Sequence, residues 1–293
     1  MEFGRLITAM VTPFNEEGAI DWDETGQLID YLIDEQKTDS IVVSGTTGES
    51  PTLTDGEKEE LFRYAVKRAN GRSKIIAGTG SNDTAHSIHL TKIAESCGVD
   101  GILLVVPYYN KPSQEGMYQH FKAIANATTL PVMLYNVPSR TVASMSTETT
   151  LRLAQIDNIV ATKECASTDQ VTQLVAGAPE GFYVYSGDDS AALPVLAVGG
   201  YGIVSVASHV IGAQMKQMIE AYLNGNVKEA AALHQQCFPV FKGLFELPHP
   251  VPNPVLVKAA LQLRGLAVGG VRLPLVNATE QELAALRSLL GNS

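Results

Sequence analysis

The sequence has few cysteines, and their spacing offers no obvious pairing. Cys97, Cys165 and Cys237 are the only three, they lie far apart, and none belongs to a Cys-x-x-Cys motif. An odd number without close spacing argues against a disulfide framework and against a structural zinc site. We therefore expect a protein of a reducing compartment, with the cytoplasm as the default.

Positive charge and long apolar runs are also scarce. The 21 Lys and Arg residues are outnumbered by 31 Asp and Glu, for a net charge of −10, which argues against nucleic acid or an acidic membrane surface as a partner. No apolar run reaches the ~18 residues that would cross a bilayer. The first residues, Met1–Arg5, lack the basic region and apolar run of a secretory signal. A small anionic substrate stays possible, because one local site can be basic in an acidic protein.

Nucleotide and metal motifs are missing as well. The segment Gly78–Asp83 reads Gly-Thr-Gly-Ser-Asn-Asp, so it lacks the third glycine of a dinucleotide-binding turn. No Walker-type lysine follows a glycine loop. His86 and His89 have the spacing of one helix face but no acidic third ligand nearby, so we interpret them as a solvated face. We expect no cofactor and no metal.

What the sequence does contain is a repeated pattern of short β-rich runs between helix-like segments. Eight such runs, spaced by roughly 20 to 35 residues, are typical of a (β/α)8 TIM barrel. A doubly wound sheet is the alternative, but it would place a nucleotide loop after the first strand. The predicted strands are Leu6–Val11, Ser40–Val43, Lys74–Ala77, Gly101–Val106, Val132–Tyr135, Ile159–Lys163, Phe182–Tyr185 and Gly202–Val206.

The pattern changes after about residue 212, where only helix candidates follow. We predict a barrel domain over residues 1–212 that carries the active site and a helical C-terminal domain over residues 213–293. Thr54 with Glu57, and Thr279 with Glu282, have the spacing of helix-starting capping boxes. The predicted C-terminal helices are Gln214–Leu223, Val227–Phe241, Pro254–Leu263 and Glu280–Leu290.

One lysine lies at the end of a predicted buried strand. Ile159–Ala161 are apolar without alternation, and Lys163 follows them. Such a lysine can be ordinary, paired with a carboxylate and half in water, or it can be a Schiff-base nucleophile. Because the ordinary lysine pKa is near ~10.4, only about one amine in 2,500 is neutral at pH 7, so burial would have to activate it.

Other polar residues also follow predicted strands, and each has a structural reading beside a functional one. The turn Gly45–Gly48, with Thr46 and Thr47, is either a tight loop or a carboxylate-binding nest of N–H groups and hydroxyls. Tyr135 is either a packing residue or an acid/base group. Arg140 is either a surface ion-pair residue or a bidentate carboxylate ligand. The carboxyl ends of barrel strands share one face, so all of these side chains should meet there.

Taken together, these segments resemble the dihydrodipicolinate synthase family, a group of pyruvate-dependent class I aldolases. The resemblance runs over almost the whole chain and appears in the same order. It is carried by Gly45–Ser50, Pro107–Pro112, Tyr135–Thr141, Lys163-Glu164, Ser186–Asp189, Gly202–Val206, and Asn253-Pro254 with Lys258.

The resemblance implies a set of roles around Lys163, which would form an imine with pyruvate. Tyr135 would be the general acid/base, and Thr46 would link it to Tyr109, which in this family reaches in from a neighbouring subunit. The remaining family roles concern binding. Thr47 would hold the pyruvate carboxylate, Arg140 the carboxylate of L-aspartate 4-semialdehyde, and the Val204 carbonyl would line the pyruvate pocket.

The family further implies a lyase of lysine and diaminopimelate biosynthesis that makes 4-hydroxy-tetrahydrodipicolinate, needs no metal and forms a homotetramer from two tight dimers. N-acetylneuraminate lyase and keto-deoxy sugar-acid aldolases are the alternatives inside the superfamily, but Arg140 favours the synthase. A non-catalytic keto-acid sensor is the alternative from another class.

The resemblance also points to a lysine feedback site, which is degenerate here. Ser50, Asn82 and Tyr108 match it, whereas Lys58 and His86 stand where sensitive relatives have histidine and an acidic residue. Two potentially cationic side chains would face a ligand that carries an ammonium group. We therefore predict weak or absent inhibition by lysine.

Overall fold

Eight parallel strands close into a barrel in the computed structural model, which describes residues 2–291. Each strand pairs with the next, and the last pairs with the first. All eight predicted strands are present, with ends that differ by at most two residues, so the predicted (β/α)8 fold is confirmed. The strands are β1 Leu6–Ala9, β2 Ser40–Val43, β3 Lys74–Gly78, β4 Gly101–Val105, β5 Val132–Asn136, β6 Ile159–Glu164, β7 Tyr183–Ser186 and β8 Gly202–Ser205.

Helices connect the strands and cover the outside of the barrel. Thr54 and Glu57 form the predicted capping box at the start of the second helix. The connecting helices are α1 Trp22–Asp34, α2 Asp55–Ala69, α3 Thr84–Ser96, α4 Gln114–Ala125, α5 Pro138–Thr141, α6 Thr147–Leu153, α7 Thr168–Gly177 and α8 Ala192–Ala197. Short 3-10 helices lie at Ser50–Thr52 and Asp189–Ala191.

Two apolar layers decide which way each strand residue points. One layer fills the barrel, and the other lies between the strands and the helices. Ala161 on β6 belongs to the inner layer, and Cys165, the residue after β6, packs against that layer. Side chains two residues apart on a strand share a face, so Lys163 also points into the barrel. The inner layer consists of Phe3, Ile7, Ala9, Val42, Ile76, Leu103, Met133, Tyr135, Val137, Ala161, Tyr185 and Val204.

Four helices follow the barrel strands: α9 Ser208–Leu223, α10 Val227–Glu246, α11 Val255–Leu263 and α12 Glu280–Leu290. The capping box of Thr279 and Glu282 begins α12 as predicted. The boundary at 212/213 stays a prediction; it falls inside α9, directly after a break in helical geometry at Ile211 (φ −134°, ψ 28°). Within residues 2–291, no helix is both long and apolar enough to cross a membrane.

Candidate active site

Lys163 lies at the carboxyl end of β6, directly beside Tyr135 of β5. The two residues are register partners in the sheet, and the Lys163 Nζ atom is 4.2 Å from the centre of the Tyr135 ring. Both side chains are 5% exposed. Parallel pairing thus places the amine against an aromatic face inside the barrel mouth.

The buried Lys163 amine has few polar partners to replace the water that it loses on folding. Among residues 2–291, no carboxylate forms a salt bridge with it and no oxygen accepts a hydrogen bond from it. Burial lowers the pKa of Lys163, and the Arg140 guanidinium adds a smaller effect in the same direction, while the Cys165 thiol and the Asp189 carboxylate oppose them. The site therefore favours the neutral amine, which is the form that attacks a carbonyl.

The Tyr135 hydroxyl has two polar neighbours. The side chains of Thr46 and Cys165 both lie within hydrogen-bonding reach of it. Burial raises the pKa of Tyr135, so the phenol is protonated at neutral pH. A protonated hydroxyl that touches a second hydroxyl can hand a proton on without adding charge to the site.

Cys165 also belongs to this group of side chains. It lies beside Tyr135, and burial raises the pKa of its thiol to about 11. Space for it depends on Gly187, where an added Cβ would lie 2.3 Å from the Cys165 Sγ and 3.0 Å from the Lys163 Cε. The spacing of two residues from Lys163 was the available signal, since it puts both side chains on one strand face.

The loop after β2 brings Thr46 and Thr47 to the same end of the barrel. Two non-glycine residues on it, Ser44 and Glu49, have positive φ values of 55° and 57°. The loop is held by a hydrogen bond of 2.7 Å from the Thr12 hydroxyl to the Gly48 carbonyl. Thr47 is buried, as is Val204 on β8, and Val204 lies in the inner layer of the barrel.

One cavity of about 390 Å³ connects the predicted catalytic and regulatory residues. Thr46, Tyr135 and Arg140 border it, and Arg140 extends from the short helix α5. All five predicted feedback-site residues border it too: Ser50, Lys58, Asn82, His86 and Tyr108. Lys163, Thr47 and Val204 are not among its lining residues.

Several residues of the predicted feedback site form hydrogen bonds with other residues of the chain. His86 lies 3.0 Å from both carboxylate oxygens of Asp55, and the Asn82 amide donates to the Tyr108 carbonyl at 3.1 Å. Lys58 is only 7% exposed, and burial lowers the pKa of its ammonium. Among the described residues, no hydrogen-bond acceptor contacts that ammonium.

Tyr109, like Lys163, is a predicted catalytic residue that does not line the cavity. Its side chain is 90% exposed, and its φ value is 73°. The adjacent Tyr108 does line the cavity. The loop after β4 therefore points one tyrosine inward and presents the other to the outside of the chain.

Two buried carboxyl groups adjoin the site. Burial raises the pKa of Glu164 to about 7, although Asn136 and the Ala166 amide donate to it at 2.9 and 2.8 Å. Burial also raises the pKa of Asp189 to about 6. Asp189 accepts from the Ala207 amide at 2.9 Å. It lies in the 3-10 helix Asp189–Ala191.

Comparison with known proteins agrees with this geometry. The model of the dihydrodipicolinate synthetase family matches residues 2–293. The chain belongs to that family. The resemblance inferred from the sequence motifs is thereby confirmed, and the match leaves almost none of the chain outside it.

Individual relatives share both sequence and fold with the chain. It is 59% identical over 292 residues to a 4-hydroxy-tetrahydrodipicolinate synthase of Bacillus subtilis, with 99% of each protein covered. A dihydrodipicolinate synthase crystal structure from Bacillus anthracis has a TM-score of 0.96 at 53% identity, covering 99% of this chain and 98% of that one. A structure from Cyanidioschyzon merolae with lysine bound has a TM-score of 0.95 at 45% identity, covering 99% and 98%.

Proposed function

We propose that this family member condenses pyruvate with L-aspartate 4-semialdehyde through a Schiff base on Lys163, forming 4-hydroxy-tetrahydrodipicolinate for lysine and diaminopimelate biosynthesis. The observation that carries the proposal is the buried Lys163 amine, which has a lowered pKa and lies 4.2 Å from the Tyr135 ring. Its substrates are small metabolites, and we assign the reaction to the cytoplasm.

The first stage is imine formation. The neutral Lys163 amine attacks the keto carbon of pyruvate, and the keto oxygen leaves as water once it has gained two protons. The amine nitrogen gives up one proton, which Tyr135 passes to the departing oxygen together with the proton of its own hydroxyl, and the imine keeps the other nitrogen proton. The Thr47 hydroxyl and its neighbouring N–H groups hold the pyruvate carboxylate, while the Val204 carbonyl borders the same pocket.

The second stage forms the new carbon–carbon bond. The protonated imine makes the pyruvate methyl group acidic, so loss of one proton gives an enamine. The enamine carbon attacks the aldehyde carbon, and the aldehyde oxygen takes up a proton. Arg140 at the cavity mouth holds the carboxylate of the semialdehyde through a paired guanidinium contact. The substrate amino group then attacks the imine carbon, closes the ring and releases the Lys163 amine.

Proton supply to Tyr135 passes through Thr46 and a tyrosine from another copy of the chain. Tyr109 is 90% exposed on its own chain, which suits a side chain that reaches into a neighbour's site. We therefore propose a homotetramer made of two tight dimers, in which Tyr109 of one copy completes the relay of the other. Sedimentation analysis of the Tyr109→Phe variant separates the relay from assembly, since it should stay oligomeric but lose turnover.

Reduction with borohydride in the presence of pyruvate tests the proposal directly. Peptide mapping should find one pyruvate-derived adduct, on the peptide that contains Lys163. Lys258 serves as the internal control, because it is equally buried but lies outside the site. Full turnover without an adduct at Lys163 would rule out the Schiff-base mechanism.

A sugar-acid aldolase activity is the second candidate, because the same imine chemistry serves both reactions. The cationic Arg140 at the cavity mouth favours a short substrate with a carboxylate over a polyhydroxylated one. Turnover of L-aspartate 4-semialdehyde should exceed that of N-acetylneuraminate and keto-deoxy sugar acids by orders of magnitude. Arg140→Ala should narrow the difference in turnover, chiefly by raising the KM for the semialdehyde.

A further inference from the structure

The motif Asn253-Pro254 with Lys258 has no part in the proposed reaction, yet the structure brings it to the substrate loop. Asn253 lies two residues before α11, and Lys258 lies within its first turns. Their partners are Thr47 and Glu49, two positions apart on the loop after β2. A segment distant in sequence therefore contacts the loop after β2 through two of its side chains.

The first point of contact is an ion pair. The Lys258 Nζ donates to the Glu49 Oε1 at 3.0 Å, and each side chain is only 2% exposed. The second carboxylate oxygen of Glu49 accepts from the Arg272 amide at 2.9 Å. Removing one partner of such a pair leaves a buried charge uncompensated, so the contact strongly resists opening. The ion pair therefore fixes the position of the loop after β2 relative to α11.

The second contact concerns the hydroxyl of Thr47. The Asn253 Nδ2 atom donates to the Thr47 Oγ1 at 2.9 Å, and both side chains are buried. A threonine hydroxyl has one proton and two lone pairs. One lone pair of the Thr47 oxygen accepts the hydrogen bond from the Asn253 amide. The proton of the Thr47 hydroxyl is therefore directed to another acceptor. The carboxylate of a bound keto acid is such an acceptor.

The orientation of the Asn253 amide has a cost in stability that packing alone does not explain. Among the described residues, the Asn253 Oδ1 atom is buried and has no hydrogen-bond partner. Reversing the amide would leave an NH2 group with two donors unpartnered instead, and would turn the Thr47 proton towards Asn253. A buried unsatisfied polar atom opposes stability, so we look for its benefit in the orientation of Thr47.

We propose that Asn253 is a positioning residue for the keto-acid carboxylate: it holds the Thr47 hydroxyl so that its proton faces the substrate, while the Lys258–Glu49 pair keeps the two segments in register. The proposal rests on the proposed function, because it takes Thr47 as the pyruvate carboxylate ligand. It makes the C-terminal helices part of the substrate site.

Steady-state kinetics of Asn253→Ala and Asn253→Asp in the full chain test the proposal. Asn253→Ala should raise the KM for pyruvate about ten-fold, since one charge-assisted hydrogen bond is weakened. The kcat and the KM for the semialdehyde should change by less than about three-fold. Asn253→Asp has the same shape, but its side chain only accepts hydrogen bonds. It should therefore accept a hydrogen bond from the Thr47 hydroxyl, repel the pyruvate carboxylate and raise the KM for pyruvate further.

A double-mutant cycle with Thr47→Val shows whether Asn253 acts through the hydroxyl. In the Thr47→Val background, Asn253→Ala should change the pyruvate KM by less than about two-fold. Equal effects in the two backgrounds, or a parallel rise in both substrate KM values, would overturn the proposal. Gln262→Ala, on the exposed side of α11, is the matched control and should leave all constants unchanged.

Stability and imine trapping keep the possible failures apart. Each variant is compared with the parent by thermal unfolding, so that a loss caused by misfolding is recognised. If the parent chain forms no pyruvate adduct at Lys163, the proposed function itself is wrong. If the parent forms the adduct and Asn253→Asp forms it at the same pyruvate concentration as the parent, only the role of Asn253 is refuted.

Discussion

Two buried lysines in this protein have opposite surroundings. Lys258 is paired with Glu49 at 3.0 Å and also donates to the Gly270 carbonyl; burial lowers its pKa to about 8, although Glu49 acts in the opposite direction. Lys163 faces the Tyr135 ring, has no acceptor among the described residues, and its pKa is lowered by burial with help from Arg140. Burial lowers the pKa of both amines, but of the two only Lys258 has a carboxylate in direct contact, since Asp189 acts on Lys163 without forming a salt bridge.

The difference shows that the partner, and not burial alone, decides what a buried amine does. A carboxylate partner holds the Lys258 ammonium in a structural ion pair. At Lys163, an aromatic face and a nearby guanidinium leave the amine available to react with a carbonyl. The two sites are linked through the loop after β2, since Glu49 pairs with Lys258 and Thr46 contacts Tyr135. Structural anchoring and reactivity therefore lie a few residues apart on one segment.

Replacing each lysine by arginine separates the two roles most strongly. Lys163→Arg keeps the charge but cannot supply a neutral amine, so kcat should fall by about 10³-fold or more and borohydride trapping should disappear. Lys258→Arg keeps an ion pair with Glu49 and should retain trapping at Lys163. Mass spectrometry after reduction measures both, and an adduct in Lys163→Arg would contradict the assignment.

Removing the charge at the structural site should cost stability instead. Lys258→Met leaves Glu49 buried without its main partner, and the free energy of unfolding should fall by about 3 to 5 kcal/mol. Urea unfolding followed by circular dichroism at fixed protein concentration measures the loss. Adding Glu49→Gln to Lys258→Met should recover part of it. A single variant as stable as the parent would show that the pair does not anchor the loop.

The aromatic partner of Lys163 is expected to act through its hydroxyl. Tyr135→Phe keeps the ring but removes the acid/base group, so kcat should fall about 10²-fold. Tyr185→Phe is the matched control within the same barrel interior, because its hydroxyl donates to the Gly4 carbonyl at 2.9 Å, away from Lys163. Equal losses in the two variants would mean that Tyr135 matters only for packing.

The pH dependence of imine trapping should report the lowered pKa of Lys163. Trapping requires the neutral amine, so its rate should rise with pH through a midpoint below the ordinary lysine value of ~10.4. Arg140 helps to lower this pKa, so Arg140→Ala should move the midpoint upward and slow trapping at pH 8. Arg140→Lys, which keeps the charge, is the control, and a midpoint unchanged in Arg140→Ala would argue against the electrostatic effect.

The smallest expected effect concerns the third buried lysine. Lys58 and the His86–Asp55 pair border the outer part of the cavity, and a ligand with its own ammonium group would be repelled there. Lysine at low millimolar concentration should leave the steady-state rate nearly unchanged. The double variant Lys58→His with His86→Glu should become more sensitive. Half-inhibition of the parent enzyme in that range would refute the prediction.

Sequence patterns predicted the barrel well because its signals are local. Each strand is a short branched apolar run buried on both faces, which can be recognised from neighbouring residues alone. The C-terminal helices were less well bounded: α9 begins at Ser208 instead of Gln214, and α10 continues through Pro239 to Glu246. Packing against neighbouring helices outweighed the local signals at these ends.

The site was predicted only in part, for a physical reason. Residues at strand ends, such as Lys163 and Tyr135, follow from the rule that one end of the barrel carries the chemistry. The contacts of Cys165 with Tyr135 and of Asn253 with Thr47 do not follow from it, since they depend on side-chain direction and on long-range packing. Tyr109 shows the reverse case, as its predicted role needs a second copy of the chain.

The sequence by itself determined the eight-strand barrel and the family, and it predicted Lys163 as the reactive lysine, because strand periodicity and ordered motifs are properties of neighbouring residues. Only the tertiary structure decided which of three buried lysines has a carboxylate partner and which segment donates a hydrogen bond to the Thr47 hydroxyl. Those outcomes depend on distances between residues about 200 positions apart, and an ammonium's pKa responds to such distances rather than to its neighbours along the chain.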